Sequence, residues 1–358
     1  MQDQTSSVLE SRVRSKAASQ PVVWGQVRAV LQAVGLNPLG LILIVLLASA
    51  PLVPPFNRED LLRYLIGAAL IGAQAVAFDF TTGYINVVNF GFAAFTGLGA
   101  YTSGLLAVRL GVFPWAGMFA GAIVAGLIGL FTGVLTLRLR GIFAAVMAWF
   151  VGLAVMGLAR NLVDITRGKA GLNVPTFLDT PSNLPYFYII LVMLLITYLG
   201  LRLITNSHIG LAFRAIGQNM DAARASGVNP TFYRVLNFTV QCAFAGWLGG
   251  FYAHYYGILT PDVMLTSHTV EVLAVAYIGG RGSIWGGALV AFPFIFMIET
   301  LRSNLTALPG LHLVIYGLLL VIVMVFYPGG VAQLYYMAPV YLRRLRYRLG
   351  QSRVGRSG

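Results

Sequence analysis

The sequence predicts an all-α, polytopic integral membrane protein with about ten transmembrane helices. Three observations carry that expectation: a deficit of charge, a series of long apolar runs, and arginines gathered between those runs. Of 358 residues, 58% are hydrophobic and 10% are charged, whereas a soluble domain carries about 25% charged residues. Apolar runs recur at 39–53, 61–80, 113–137, 142–158, 186–201, 284–298 and 311–327. A helix crossing the hydrocarbon core needs about 20 mostly apolar residues, and several runs approach or reach that. The 41 glycines fit the same class, because small residues let membrane helices approach closely.

Taken in order, the expected crossings are 38–54, 61–80, 84–108, 113–136, 141–163, 185–204, 231–257, 267–280, 283–303 and 309–327. Residues 1–37 read as a cytoplasmic tail, with 22–34 as a short interfacial helix holding Trp24 and Arg28 at the headgroups. The first twenty residues are polar, so the first apolar run reads as an uncleaved span rather than a signal peptide. The eighth span is short and contains Glu271, and a re-entrant or partly unwound segment is its alternative reading. Residues 328–358 read as a basic cytoplasmic tail. No internal repeat is clear, although the Gly-rich stretches 89–105 and 278–290 are a weak sign of two corresponding halves.

Charge sets the orientation, since cytoplasmic loops carry the excess of Lys and Arg. A cytoplasmic N-terminus places Arg12, Arg14, Lys16, Arg28, Arg138, Arg140, Arg202, Arg214, Arg224, Arg234, Arg281 and six arginines between 343 and 356 inside, which is 17 of the 24 basic residues. Ten crossings also return the basic C-terminus to the cytoplasm. The same distribution explains the net charge of +13 without nucleic acid: the cations sit between apolar runs and in the tails, where headgroups and cytosol meet the protein. The single Cys242 excludes an intramolecular disulfide.

Residues 207–231, SHIGLAFRAIGQNMDAARASGVNPT, form the longest polar-containing stretch between spans, and charge places them inside. Gly210 and Gly217 are expected to break the stretch. Residues 222–225 favour helix. Asp221 stands at the start of that helix, where a carboxylate satisfies free N–H groups. Gly227 suits a left-handed stop, with Pro230 just beyond. A short helix held between breakers suits docking on a soluble partner, while an ordinary connector is the alternative.

The stretch resembles the EAA-x3-G loop of ABC importer permeases, with Asp221-Ala222-Ala223 followed by Gly227 and Asp in place of Glu. Wider pieces resemble the LivM-type permeases of branched-chain amino acid importers and their LivH and urea-permease relatives. They are NVVNFGFAAFTGLGAYTSGLL (86–106), LRLRGIFAAVM (137–147), DITRGKAGL (164–172), IGLAFRAIGQNMDAARASGV (209–228), FAGWLGGFYA (244–253) and IGGRGSIWGGALVA (278–291). The resemblance spans about residues 60–330. It implies the type II importer architecture of about ten helices, with the coupling loop between spans six and seven. It implies a permease subunit in the bacterial or archaeal cytoplasmic membrane. ABC ATPase subunits, a second permease subunit (LivH-like or a copy of itself) and an extracytoplasmic binding protein are its implied partners. Arg214, Gly217, Asp221, Ala222, Ala223 and Gly227 fall in the implied ATPase-coupling loop. Two features depart from the family pattern. Ile142-Phe143 follow LRLRG where an acidic residue is common, and Thr166-Arg167-Gly168-Lys169-Ala170-Gly171 replaces a T-G-G-x-x-G turn. Leucine, isoleucine and valine are the implied cargo, with urea, short amides or a small carboxylate as alternatives.

A zwitterionic cargo needs a partner for its carboxylate, one for its ammonium, and apolar room. Asn86 and Asn89, beside Gly83 and Gly91, are candidates for lining the pathway, with helix–helix hydrogen bonding as the alternative. Glu271 is the intramembrane acid expected to face the pathway, because buried charge is costly and usually has a role. Glu299, with Arg302 three residues on, reads as a local ion pair. Asp79 reads as snorkelling or capping at a cytoplasmic end. Arg167 and Lys169, in the loop expected outside, are candidates to contact an acidic rim on a binding protein or steer an anion, with a solvated charged loop as the alternative. His254 and His268 read as hydrogen-bonded or solvated, and no metal site or cofactor is expected. The sequence contains no G-x4-G-K-[ST], H-E-x-x-H, CxxC or G-x-S-x-G, so no ATP-binding loop or catalytic set is visible and the chain reads as a non-enzyme. A stand-alone secondary transporter or channel is the competing class; it would need ion-coordinating residues near mid-bilayer, which are sparse.

Overall fold

The computed structural model describes residues 45–52, 58–139, 141–178, 180, 182–304, 310–326 and 329–333. The expected interfacial helix at 22–34, the N-terminal tail and the arginines from 343 onward lie outside the described residues. The chain divides into two compact units, Met1–Leu52 and Val53–Gly358. In the first, described residues 45–49 are helical and continue into the 3-10 turn Ala50–Leu52.

The second unit is built of helices: α1 (Glu59–Thr82), α2 (Phe92–Leu110), α3 (Pro114–Leu135), α4 (Ile142–Asn161), α5 (Leu184–Asn206), α6 (His208–Gln218), α7 (Met220–Ala225), α8 (Pro230–Tyr256), α9 (Thr266–Gly279), α10 (Trp285–Asn304) and α11 (Leu311–Phe326). A single helical turn, Val163–Thr166, follows α4. The chain is a polytopic helical membrane protein. By length and apolar composition α1, α3, α4, α5 and α10 are each able to cross a membrane. α8 has 27 residues, about 40 Å at 1.5 Å per residue. Its buried Asn237, Gln241 and His254 lower its apolar character. The amides of Asn237 and Gln241 donate to the α1 carbonyls of Phe80 and Phe78 at 3.1 and 3.2 Å.

The predicted crossings after the first appear in the same order, with two differences. The third begins at Phe92 instead of 84: residues 86–89 are irregular, and Asn86 takes a left-handed φ of 60° that a helix cannot continue through. The eighth is the 14-residue α9. At about 21 Å it falls short of the roughly 30 Å hydrocarbon core.

The core lies where α8 packs on α2 and α3, and α1 packs on α5, α9 and α10. Glycines set the first of these contacts. A Cβ on Gly99 would lie 2.1 Å from the Gly246 carbonyl, and one on Gly246 would lie 2.4 Å from Ala125 Cβ. Only hydrogen fits, so three helix backbones approach at one level. At one end of the bundle, Leu172–Asn173 (β1) pairs antiparallel with Ile258–Leu259 (β2), Leu172 opposite Leu259. Glu59 accepts hydrogen bonds from Asn183 and Ser182 there, and Arg160 pairs with Asp262 at 3.2 Å. The opposite end gathers 83–91, α6, α7 and 281–284. The loops that charge assigned to one side thus meet at one end, and those it assigned to the other side meet at the other.

Candidate functional site

Two places in the bundle gather polar groups beyond the needs of packing. The first is the end that carries α6 and α7. Ser207 caps α6, its hydroxyl accepting from the Ile209 N–H at 3.2 Å. The buried face of α6 is Gly210, Ala212, Phe213 and Ile216. Phe213 is fully buried between the rings of Phe80, 5.5 Å away, and Tyr233, 6.1 Å away. Arg214 lies over the Tyr84 ring at 5.3 Å, a cation–π contact.

Gly210 and Gly217, expected to break the stretch, lie inside α6. Their role is close approach: a Cβ at either would sit 2.1 Å from a carbonyl oxygen, of Thr205 and Tyr84 respectively. The break falls at Asn219, whose side chain accepts from the N–H groups of Asp221 and Ala222 at 3.0 Å. Asn219, not Asp221, is therefore the N-cap of α7. Asp221 sits in the first turn, 4.0 Å from Arg224. Gly227 has φ 85°, and the Val228 N–H returns to the Ala223 carbonyl at 3.1 Å, so the left-handed stop at Gly227 is present. Ala222, Arg224 and Ala225 are exposed, whereas Ala223 is buried against the body.

This end is tied to the helices above it by two side chains. The Asn86 amide donates to the Gly217 carbonyl at 2.5 Å, and its oxygen accepts from Arg281. The buried Asp79 carboxylate accepts from the N–H groups of Gly282 and Ile284 at 2.8 and 2.9 Å. Capping is thus what Asp79 does, though across to the α9–α10 turn. Asn86 joins α6 to that same turn and stands outside the cavity described next. Asn89 is fully buried and donates to Gln241 at 3.0 Å while accepting from Gly91 N–H. It makes the helix–helix bond, the alternative given for it, and does not line the cavity.

The second place is a cavity of about 220 Å³ walled by α1, α2, α8, α9 and α10. Glu271 lines it, as does Glu299. Glu271 is 3.5 Å from His268, and Glu299 is 2.8 Å from Arg302, so the expected Glu299–Arg302 pair forms but faces the cavity. Gln74, Thr96, Tyr252 and Tyr256 complete its polar wall. Gln74 escaped notice in the sequence although a lone amide within the apolar run 61–80 was a readable signal. Among the described residues no group of three or more His, Cys, Asp or Glu is placed to hold a metal ion. His254 stands apart, buried between the Ser103 hydroxyl at 2.8 Å and the Pro175 carbonyl at 2.7 Å. Arg167, with φ 59°, and Lys169 are exposed at the end opposite α6 and α7.

The family described as branched-chain amino acid transport system, permease component, matches residues 61–324. The chain belongs to this family. The matched range takes in both polar sites, from α1 through most of α11. Among curated relatives of this permease family, the high-affinity branched-chain amino acid transport system permease protein LivM of Salmonella typhimurium is 25% identical over 339 residues, covering 87% of this chain and 77% of the relative. LivH of the same organism is 22% identical over 275 residues, covering 71% and 89%. The autoinducer 2 import system permease protein LsrC of Enterobacter sp. is 29% identical over 255 residues, covering 68% of each. No solved structure matches the chain.

Proposed function

We propose that this permease is the membrane subunit of an ATP-driven importer for branched-chain amino acids. It forms part of the translocation path and catalyses no reaction itself. Separate ABC ATPase subunits dock on the α6–α7 end, a second permease subunit (LivH-like or identical) completes the path, and an extracytoplasmic binding protein delivers cargo at the opposite end. The carrying observation is the family match over residues 61–324. An exposed surface of Ala222, Arg224 and Ala225, clamped by the Asn219 cap and the Gly227 stop, supports the docking role. In this reading Arg214 and Gly217 fix α6, and Asp221, Ala222, Ala223 and Gly227 shape the docking helix. Arg167 and Lys169 are available to an acidic rim on the binding protein.

The orientation follows from charge: α6, α7 and Arg281 face the cytoplasm, as do both termini, with 1–37 and 328–358 as tails around a membrane domain of 38–327. The membrane is then the cytoplasmic membrane of a bacterium or archaeon. The test is reconstitution of the chain with its ATPase and second permease subunits in liposomes, with leucine-loaded binding protein outside. ATP-dependent leucine accumulation is expected. Leucine uptake that proceeds without ATP, or none at all while another cargo accumulates, defeats the reading.

A further inference from the structure

The cavity has chemistry that the permease assignment leaves unused. Gln74 is about nine-tenths buried and lines it, yet among the described residues its amide has no hydrogen-bond partner. Its polar atoms open onto the cavity, where a guest or water can take up their hydrogen bonds. Beside it stands Thr96, whose hydroxyl makes only a 3.4 Å bond to the Phe92 carbonyl. Thr96 is on the second turn of α2, and Phe92 and Ala93 of its first turn line the same cavity. From α9 and α10, Glu271 and Glu299 present two carboxylates to the same cavity against one permanent cation, Arg302; His268 adds another only when protonated. The remaining wall is largely aliphatic, with Ile71 and Ile295 among it. The volume of about 220 Å³ lies below the roughly 300–1,000 Å³ of drug-sized sites.

We infer that this cavity is a transit site for a zwitterionic amino acid with an aliphatic side chain. Glu271 and Glu299 take the ammonium, Gln74 and Thr96 take the carboxylate, and Ile71 and Ile295 take the side chain. The surplus carboxylate disfavours anionic cargo, and a neutral amide gains nothing from it. The inference rests on the permease reading and names the place where that cargo is held.

The test uses the assembled transporter with cysteine placed at Gly67, where a side chain has open space, and separately at Val272, both lining the cavity but outside the groups assigned to the cargo. The native Cys242 is buried, so the unmodified protein supplies the background. Alkylation by a small maleimide is timed with and without leucine, with 4-methylpentanoate (no ammonium), and with isoamylamine (no carboxylate). Both cysteine variants are first checked for ATP-driven leucine uptake; if both fail, the leucine concentration for half-maximal uptake in Glu271→Gln and Glu299→Gln, expected to rise about tenfold, carries the measurement. Leucine is expected to slow alkylation, with either half-analogue needing at least about tenfold higher concentration, the usual worth of a hydrogen bond to a charged group. Adding Glu271→Gln and Glu299→Gln should raise the protecting leucine concentration by a similar factor. Glu→Gln keeps size and hydrogen bonding, so an effect on folding alone would not separate leucine from 4-methylpentanoate. Wild-type uptake of leucine with no protection at either position overturns the site and leaves the permease reading standing. Equal protection by all three compounds, or protection unchanged in the Gln variants, overturns the assignment of the poles. Absence of ATP-driven leucine uptake in the unmodified transporter overturns both.

Discussion

Replacing Asn86 tests whether the docking end is mechanically joined to the rest of the bundle. Asn86 makes two contacts at once: it donates to the Gly217 carbonyl at 2.5 Å and accepts from the Arg281 guanidinium. A neutral hydrogen bond contributes about 0.5–1.5 kcal/mol and one to a charged group about 1.5–3. Because Asn86 and Arg281 are exposed, the lower ends apply, giving about 2 kcal/mol for the bridge. Its φ of 60° complicates the choice of substitution, since alanine there would add backbone strain of about 1–2 kcal/mol. Asn86→Gly deletes the bridge without that strain. Reconstituted transporter carrying Asn86→Gly should hydrolyse ATP at near the wild-type basal rate yet import less leucine per ATP. The deficit should be about 30-fold at most for 2 kcal/mol, and smaller if the Gly83–Gly282 contact carries part of the coupling. Asn86→Asp keeps the acceptor for Arg281 but sets a carboxylate against the Gly217 carbonyl, and should fall between the two. An unchanged ratio of leucine imported to ATP hydrolysed in Asn86→Gly would refute the bridge as a coupling element.

The exposed and buried alanines of α7 should respond differently. Ala222→Arg should lower ATPase association without changing the melting temperature of the detergent-solubilised permease, whereas Ala223→Arg, at a buried site, should lower that temperature as well. Asp79→Asn removes the charge from the acceptor of two N–H hydrogen bonds and should cost about 1.5–3 kcal/mol, read as a lower melting temperature. Gly246→Val pushes side-chain atoms into Ala125 and the Gly121 carbonyl. Overpacking of this kind costs about 1–3 kcal/mol or more, and a reduced yield of monodisperse protein by size exclusion is the expected result.

Apolar length and charge made most of the bundle legible, because span formation depends on composition averaged over some twenty residues. Short-range competition was harder to read. Asn219 and Asp221 are both good N-cap residues two positions apart, and only the chain path, with α6 running to Gln218, decides for Asn219. Gly210 and Gly217 carry no local mark that separates a break from a close contact, since the atoms they approach belong to Thr205 and Tyr84. The start of α2 at Phe92 was hidden for a similar reason: residues 84–91 contain enough apolar character to extend a span, and the interruption comes from bonds made 131 and 195 residues away. The cavity was half visible. Glu271 stood out as a charge in an apolar run, but Gln74 gains its meaning from having no partner, which is a property of the packed protein.

The two polar sites are joined through α1 and the α9–α10 turn. Asp79 grips the turn at Gly282 and Ile284, and Gln74 lies five residues earlier on the same α1 helix, about 7.5 Å along its axis. Glu271 and Glu299 stand on the two helices that the turn connects. The backbone contact is equally tight, since a Cβ on Gly83 would fall 2.4 Å from the Gly282 nitrogen. In the proposed coupling, a force on α6 passed through Asn86 to Arg281 would reach the α9–α10 turn and, through Asp79, α1. A shift of α9 and α10 relative to α1 would change the spacing between Gln74 and the Glu271–Glu299 pair. A site gripped at two poles by different helices loosens when the helices shift, without any group being chemically altered. This is what an importer needs from its membrane subunit: weak binding whose geometry follows the state of a docking surface at the far end.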